Sequence, residues 1–450
     1  MFRNRSPLLI NVPLPVPVNP TEIDSQGFLI NPQKLIDNKV IGKTARIFFP
    51  AYDVDDKAVL PEPYQPEVDI VTFNGKIYGK GLLEGLNNTW VMQSFEVPIS
   101  DLKFGANNLL RIDIDTANVP YGEFWCTAVD WVGVDFDVAA PYVLAHGIAS
   151  DATSWDEAHG PDVQAYLNNL GVRWERFSAL PHGSTVENAR VLHDQLVPWL
   201  EDLRSDRFHV VAHSKGGLDY QMLQYVYGNR DYQILSLSTL STPHLGSVAA
   251  DLNLLERRKM DSYNAIAIAS PDPDGWVNAY LNNVWSAVTF GQGPGLPGLY
   301  DLQTQRSAFE LSFGTRGNIA NTFTIGANAD LNGNGLWDRD GMQGLDCSEG
   351  SFISNNPIVR CQLGNAWQTL RRHSSASMVR VDTALFGWWT TLVIATTPTL
   401  TLQDNDVVVT LGSANPSYGT NIRNDMANHT AVKNRTNVQA LVERTIGIKE

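Results

Sequence analysis

A serine with small neighbours follows a short apolar run near the middle of the chain. Residues 208–211 read Phe-His-Val-Val and residues 212–217 read Ala-His-Ser-Lys-Gly-Gly, with a helix-compatible segment after them. In a nucleophile elbow the serine lies on a strained turn between a strand and a helix, so the residues two before and two after it must be small. Ala212 and Gly216 meet this requirement. The pattern predicts that Ser214 is a nucleophile, the alternative being a surface serine in a glycine-rich turn.

A serine nucleophile requires two partners further along the chain. Its hydroxyl is weakly reactive at neutral pH, so it needs a histidine to accept its proton and a carboxylate to orient that histidine. His429 is the candidate base, because it ends a polar segment directly before a predicted helix at 430–446. Asp406 is the candidate acid, because it lies in a polar turn after a predicted strand at 399–403, with a valine three residues further on.

A second acid and base pair remains open. Asp330 follows a good strand pattern, which favours a place near the end of a sheet, but His373 lies in an Arg-Arg-His-Ser-Ser segment typical of an exposed turn. His244 directly follows another predicted strand, and no further strand separates it from the serine to carry an acid. We interpret His244 as a structural residue that lines the pocket, and the exposed character of His373 favours the first pair.

The elements that must position these residues lie in a second domain, 141–450. Predicted strands and helices alternate there, which is typical of a mainly parallel sheet covered on both faces. Region 248–320 has no place in that sheet, and an insertion there would lie over the carboxyl ends of the strands, so it is the predicted lid. The predicted strands are 142–145, 173–177, 209–211, 234–240 and 322–326, and the predicted helices are 161–170, 184–203 with a capping box, and 218–227.

The first domain, 1–140, has a different pattern. Short alternating apolar runs recur between turn signals without helical periodicity, which predicts an all-β sandwich. Asn-Gly at 74–75 predicts a type I′ hairpin turn. Trp90, Trp125 and Trp131 could form a sugar-stacking platform, but we favour core packing for these side chains.

The composition limits the classes of partner. Of 450 residues, 43% are apolar and 18% charged, which indicates a globular protein. A net charge of −15 argues against nucleic acid or anionic membrane as the main partner. No stretch approaches the roughly 18 apolar residues of a membrane span, and the apolar run near the start is too short for a signal peptide. We therefore expect a cytosolic protein or one whose leader has been removed.

Two further features concern metal and sulfur chemistry. Cys347 and Cys361 are close enough in sequence to form a disulfide, whereas Cys126 is expected to be unpaired and buried. Segment 330–341 has oxygen ligands spaced as in a calcium loop, although Gly341 stands where a bidentate glutamate belongs, so a plain Asn/Gly-rich loop is an equal alternative. The candidate ligands are Asp330, Asn332, Asn334, Leu336 through its carbonyl, Asp338 and Asp340.

The second domain resembles the secreted bacterial triacylglycerol lipases and related esterases of the α/β-hydrolase superfamily. The matching pieces are His-Gly-Ile at 146–148, Ala-His-Ser-x-Gly at 212–216, Ser-Thr-Pro-His-x-Gly-Ser at 241–247, Asn-Asp at 405–406 and Asn-His at 428–429. The spacing of the last two pairs is similar to that of the family. The first domain resembles, loosely, the galactose-binding-like jelly rolls of secreted hydrolases.

The resemblance implies a fold, a site and a location. It implies an α/β-hydrolase domain with a lid insertion, preceded by a jelly-roll-like sandwich, in a secreted protein. It implies a catalytic triad of Ser214, Asp406 and His429, with backbone N–H groups of Ile148 and Lys215 as the oxyanion hole. The side chain of Lys215 is expected to point to solvent.

We therefore expect a serine carboxylic ester hydrolase that cleaves apolar acyl esters, such as lipids, through an acyl-enzyme. No cofactor is needed for this chemistry, and calcium would be structural. The alternatives are a polyester hydrolase, acting on polyhydroxyalkanoate or aromatic polyester, an amidase or thioesterase, and a non-catalytic carbohydrate-binding protein or adhesin with a sugar site on the first domain.

Overall fold

The chain folds into two units, Met1–Ala139 and Ala140–Glu450. At residues 2–3, 53–54, 377–385 and 388–396 the backbone alone is described. The computed structural model describes residues 2–3, 6–15, 23–54, 68–84, 88–114, 116, 126–228, 230–247, 249–250, 297–329, 377–385, 388–396, 404–406 and 408–449.

Two antiparallel sheets form the first unit. Its elements are β1 (Phe2–Arg3), β2 (Leu8–Pro13), α1 (Pro32–Asp37), β3 (Thr44–Val54), β4 (Ile70–Phe73), β5 (Thr89–Pro98), a 3₁₀ turn (Ile99–Asp101), β6 (Asn107–Asp113), β7 (Cys126–Val129) and β8 (Gly133–Asp135). One sheet has the order β1-β7-β3-β5, with β8 also paired to β3, and the other has the order β2-β6-β4. Ile47 and Phe49 of β3 share one core with Leu110 and Ile112 of β6. This is the predicted β-sandwich.

Local details of the sandwich confirm one prediction and correct another. Asn74 and Gly75 have φ values of 50° and 78°, and Phe73 exchanges backbone hydrogen bonds with Lys76, as in the predicted hairpin turn. Cys126 is partly exposed rather than buried.

The prediction that the tryptophans pack in the core is wrong for the two that the structure describes. Trp90 is 51% exposed and Trp131 is 45% exposed. On β5 the buried positions are Gln93 and Val97, so the strand alternation directs Trp90 to the outer face. Trp125 lies outside the described residues.

The second unit contains a six-stranded parallel sheet with the order β10-β9-β11-β12-β13-β16. A separate antiparallel hairpin pairs β14 with β15. The strands are β9 (Tyr142–Ala145), β10 (Trp174–Phe177), β11 (Arg207–His213), β12 (Gln233–Leu240), β13 (Thr322–Ala327), β14 (Ser377–Leu385), β15 (Trp388–Thr396) and β16 (Thr420–Asp425). The helices are α2 (Val163–Leu170), α3 (Thr185–Leu203), α4 (Gly216–Tyr227), α5 (Pro297–Asp301), α6 (Thr304–Ser312), α7 (Leu411–Ala414) and α8 (Arg435–Thr445), and a 3₁₀ turn spans Ala152–Trp155.

Helices cover both faces of this sheet. Val143 and Ala145 of β9 belong to one core together with side chains of α3 and α4. Tyr142 points to the opposite face, where its hydroxyl lies 2.9 Å from Thr445 Oγ1 of α8, and α8 contacts α2. The central strand β11 is therefore buried on both sides, which explains its continuous apolar run.

The predicted strands from β9 to β13 and the capping box that begins α3 are confirmed. The last helix begins at Arg435 rather than at 430, because Asn434 caps it. Within the predicted lid, 297–320 forms α5 and α6 and is hydrogen-bonded to the body of the unit, since Gly298 N–H donates to the His182 carbonyl. The remainder, 248 and 251–296, lies outside the described residues. No helix in the described part of the chain is long and apolar enough to cross a membrane.

Candidate active site

Ser214 lies on a left-handed turn between β11 and α4. Its φ is 54°, a conformation that costs free energy for a residue with a Cβ. Three hydrogen bonds hold it: Ser214 N–H donates to the Leu240 carbonyl at 3.0 Å, and its own carbonyl accepts from Thr242 Oγ1 at 2.8 Å and from Gly217 N–H at 3.2 Å. The turn presents the hydroxyl at the carboxyl end of the sheet.

Three glycines permit the close backbone approach that this turn requires. A Cβ on Gly216 would lie 2.4 Å from the His146 carbonyl oxygen. One on Gly217 would lie 2.5 Å from Thr242 Oγ1, and one on Gly147 would lie 2.8 Å from Ser214 Cβ. Side chains at these positions would displace the serine, the turn that follows β9 or the Thr242 side chain that holds the Ser214 carbonyl.

The structure brings together the serine, histidine and acid favoured by the sequence. His429 Nε2 lies 2.9 Å from Ser214 Oγ, and His429 Nδ1 lies 2.7 Å from Asp406 Oδ2. A carboxylate can only accept, so Nδ1 carries the proton and Nε2 presents its lone pair to the serine hydroxyl. The side chains are buried, with Asp406 at 0% exposure. The rival pair, Asp330 and His373, lies outside the described residues.

Backbone donors hold the second oxygen of the acid. Asp406 Oδ1 accepts from Val408 N–H at 2.9 Å and from Val409 N–H at 2.7 Å. Ala329 N–H, just past β13, donates to the Asn405 carbonyl at 2.9 Å. The carboxylate is thus fixed in orientation by its own turn, and that turn is attached to the end of a sheet strand.

The loop that carries His429 is held by hydrogen bonds to the backbone N–H and the backbone carbonyl of this residue. His429 N–H donates to the Asp406 carbonyl at 3.1 Å, and His213 Nε2 lies 2.6 Å from the His429 carbonyl. Since a carbonyl only accepts, His213 Nε2 carries a proton there. Burial holds the pKa of His213 well below its usual range, so the ring is neutral.

A buried lysine fastens the same loop to the 3₁₀ turn after β9. Lys433 is 3% exposed, its Nζ donates to the Ser154 carbonyl at 2.8 Å, and it lies 5.6 Å from the centre of the Trp155 ring. Burial lowers the pKa of Lys433 to about 8. The charged amine is therefore held at a desolvation cost that disappears when it loses its proton.

We expect this cost to appear in the pH dependence of stability. Between about pH 8 and about pH 10.5, the folded state releases the Lys433 proton before the unfolded state does, so stability rises with pH, by at most about 1.4 kcal/mol per pH unit. Lys433→Met lacks this contribution. Urea unfolding of both proteins at intervals from pH 7 to pH 10 should show the wild type gaining stability relative to the variant, whereas parallel curves would contradict the assignment.

A buried histidine orients the peptide that carries Ile148 N–H. Ala179 N–H donates to His146 Nε2 at 2.9 Å, so the ring proton is on Nδ1, which donates to the Gly147 carbonyl at 2.8 Å. Burial lowers the pKa of His146 and favours this neutral form. The Gly147 carbonyl and Ile148 N–H belong to one peptide plane, so the N–H points away from the ring. Within the described part of the chain, neither Ile148 N–H nor Lys215 N–H has a hydrogen-bond acceptor.

Two other residues can be compared with their predictions. The expectation that the Lys215 side chain points to solvent is wrong: it is 1% exposed and its Nζ lies 2.5 Å from Asp219 Oδ1. His244 is structural, as interpreted, but it is fully buried between Tyr418 Oη at 2.9 Å and Thr239 Oγ1 at 3.1 Å rather than lining a pocket. Burial lowers the pKa of His244 to about 3.

The predicted metal and disulfide features fall outside the described residues. This applies to the whole loop 330–341 and to Cys347 and Cys361. Among the residues that are described, no group of three or more histidine, cysteine or acidic side chains could hold a metal ion.

The sheet and the serine turn together define a fold class. A six-stranded parallel sheet is covered by helices on both faces, a strained serine turn joins a central strand to a helix, and an acid and a histidine follow later in the chain. The second unit has the α/β-hydrolase fold.

Comparison with known proteins gives partial similarities. No family model matches the chain. A segment of 93 residues, 20% of this chain, is 47% identical to triacylglycerol lipase 2 of Saccharomyces cerevisiae and covers 28% of that protein. The mature lipase BlEst2 of Bacillus licheniformis is 19% identical, with a TM-score of 0.43 over 68% of this chain and 92% of its own. The metagenomic carboxyl esterase MGS0156 is 14% identical, with a TM-score of 0.41 over 68% of this chain and 75% of its own.

Proposed function

We propose that this protein is a serine carboxylic ester hydrolase of the lipase and esterase type. The observation that carries the proposal is the continuous hydrogen-bonded series from Ser214 Oγ through His429 to Asp406. The partial identity to a yeast triacylglycerol lipase supports an ester as the substrate. A secreted location, a structural calcium ion and a sugar ligand for the first unit stay predictions.

The geometry supports a two-step acyl transfer. His429 Nε2 accepts the Ser214 proton as Oγ attacks the ester carbonyl, and the resulting imidazolium is stabilised by the Asp406 carboxylate. The bond to the alkoxide then breaks, His429 gives the proton to this alkoxide, which leaves as an alcohol, and the acyl group stays bonded to Ser214 Oγ as the acyl-enzyme. In the second step a water molecule loses a proton to His429 and attacks the acyl-enzyme, releasing the acid and restoring Ser214.

Two backbone donors are placed to stabilise the tetrahedral intermediates. Ile148 N–H lies on the turn after β9, and Lys215 N–H follows the nucleophile at the start of α4. Both lack an acceptor in the described structure, as donors reserved for a developing oxyanion must. We assign the oxyanion hole to these two groups.

Exposed apolar side chains on the loops of the site support an apolar acyl group. Leu180 is 43% exposed on the loop that binds His146, Leu245 is 40% exposed next to His244, and Met426 is 56% exposed shortly before His429. Such side chains would contact a fatty acyl chain without leaving polar groups unpaired. We therefore propose apolar esters, lipids included, as the substrate class.

Active-site labelling tests this function without altering the protein. An alkyl fluorophosphonate should attach to Ser214 alone, as located by peptide mass spectrometry, because only an activated serine attacks it. Hydrolysis rates of p-nitrophenyl esters of increasing acyl length should then rise beyond the acetate. A protein that neither reacts with the probe nor hydrolyses any ester would contradict the proposal and leave the non-catalytic alternative.

A further inference from the structure

A buried ion pair lies on the helix that follows the proposed nucleophile. Lys215 Nζ is 2.5 Å from Asp219 Oδ1, and the two side chains are 1% and 3% exposed. Asn188 Nδ2 of α3 donates to the other carboxylate oxygen at 2.9 Å. Burial raises the pKa of Asp219, which reflects the desolvation that the pair must overcome. A buried ion pair is often no more stable than an apolar pair of the same size, so stability alone does not explain this one.

The ion pair is one end of a series of hydrogen bonds that crosses between chain segments. Asn188 Oδ1 accepts from Leu180 N–H at 3.0 Å, next to Ala179. Ala179 N–H donates to His146 Nε2, and His146 Nδ1 donates to the Gly147 carbonyl. The series therefore begins at the side chain of Lys215, whose N–H is one proposed oxyanion donor. It ends at the peptide between Gly147 and Ile148, whose N–H is the other.

We propose that Lys215, Asp219 and Asn188 position the two oxyanion donors relative to each other. This inference rests on the proposed esterase function. Ile148 N–H and Lys215 N–H lie on turns far apart in sequence, yet both must reach one oxygen at about 2.7 to 3.1 Å. The ion pair ties the Lys215 side chain to the first turn of α4. Asn188 Nδ2 joins Asp219, and with it this turn, to α3, and Asn188 Oδ1 joins α3 to the loop that holds His146. These are positioning residues, because none of their side chains contacts the reacting atoms.

The surroundings of Lys215 favour a fixed side chain over a mobile one. A Cβ on Gly298 of α5 would lie 3.0 Å from Lys215 Cε, so the aliphatic part of the side chain runs beneath this helix. The side chain is thus confined between Asp219 of α4 and Gly298 of α5. Its backbone N–H is confined with it, since both belong to the same residue.

Charge removal in two stages tests the proposal. Lys215→Met leaves the Asp219 carboxylate buried and unpaired, whereas Lys215→Met/Asp219→Asn removes both charges and keeps an acceptor for Asn188. We expect both variants to lower kcat on a p-nitrophenyl ester by about 10- to 100-fold, with KM changed less than about threefold, because misplaced donors weaken the transition state more than the bound substrate. The double variant should recover the Tm lost by the single one.

The inhibition constant of a trifluoromethyl ketone distinguishes a positioning role from a general loss of stability, because a general loss of stability would leave this constant unchanged. Ser214 Oγ adds to its carbonyl carbon while His429 Nε2 takes the serine proton, and the oxyanion of the resulting hemiketal occupies the proposed hole. Its inhibition constant should therefore rise by the same factor by which kcat/KM falls in each variant. Leu196→Ala, a truncation in the buried core of α3, is the matched control: it should lower Tm without changing kcat or the inhibition constant.

The outcomes separate this inference from the proposed function. Two results would overturn the positioning role and leave the esterase function intact. One is a wild-type kcat in the double variant. The other is a kcat in Leu196→Ala that falls in proportion to its Tm, as in the ion-pair variants. A wild-type protein that neither hydrolyses esters nor reacts with a fluorophosphonate would overturn the esterase function and this inference with it.

Discussion

Ser214→Ala is expected to abolish ester hydrolysis, lowering kcat by about 10⁶-fold, as removal of the nucleophile does in other serine hydrolases. No other group can form the acyl-enzyme at this position, because His429 Nε2 lies 2.9 Å from Ser214 Oγ and would face only a methyl group in the variant. The variant should keep its Tm within a few degrees, since the turn is held by backbone atoms of residue 214 that the substitution leaves in place. Steady-state hydrolysis of a p-nitrophenyl ester and a thermal melt measure both quantities.

The neighbouring strand provides a matched control. Ser241 directly follows β12, has a φ of 49° and is 1% exposed, so it resembles Ser214 in backbone conformation and burial. Its N–H donates to the Ile325 carbonyl at 3.0 Å, and its hydroxyl has no partner among the described residues. Ser241→Ala should therefore keep full activity. Equal losses in the two variants would mean that the effect arises from the strained turns and not from a nucleophile.

The serine turn was predictable because its signals are local. Small residues on either side of Ser214, a buried strand before it and a helix after it are all contiguous in sequence. The capping box at Ser184 and Glu187 is local in the same way, and the structure contains both of its hydrogen bonds. Features of this kind need no knowledge of the tertiary structure.

Features that depend on packing between distant segments were predicted poorly. Lysine usually lies at the protein surface, and nothing in Ser-Lys-Gly-Gly indicates otherwise. The burial of Lys215 depends on α5, which packs against its side chain, and on Asn188, which binds its partner Asp219. The strand β16 was not predicted, because Thr-Asn-Ile-Arg-Asn-Asp is polar and lies at the edge of the sheet, where one side remains exposed. The outward direction of Trp90 depends on which face of β5 meets the core.

The position of the acid depends on a contact between residues that are far apart in sequence. Asp330 was the rival because it follows the predicted strand 322–326, where an acid on this fold would lie near the site. Ala329 N–H, just past β13, donates to the Asn405 carbonyl, and this hydrogen bond brings Asp406 to the end of the same strand. The many residues between a strand and its acid carry no periodic signal for this contact. From sequence, Asp406 was favoured by its polar turn, by the exposed character of the rival His373 and by the spacing of the Asn-Asp and Asn-His pairs.

Asp406→Asn is expected to lower kcat by about 10⁴-fold at neutral pH while leaving the fold intact. Oδ1 accepts from two backbone N–H groups, so the amide must keep its oxygen there and turn its NH₂ group toward His429 Nδ1. His429 then accepts at Nδ1 and carries its proton on Nε2, where it can no longer accept the proton of Ser214. Steady-state kinetics on p-nitrophenyl esters measures the loss, and retained fluorescence and Tm establish that the variant is folded.

Asp330→Asn is the informative comparison, because it makes the same carboxylate-to-amide change at the rival acid. The loss of kcat in Asp406→Asn should exceed that in Asp330→Asn by at least about 100-fold, since only Asp406 is hydrogen-bonded to the imidazole that faces the serine. An equal or larger loss from Asp330→Asn would assign the role of the acid to Asp330 instead of Asp406. It would also require His429 to turn away from the 2.7 Å contact with Asp406 Oδ2, so the two assignments exclude each other.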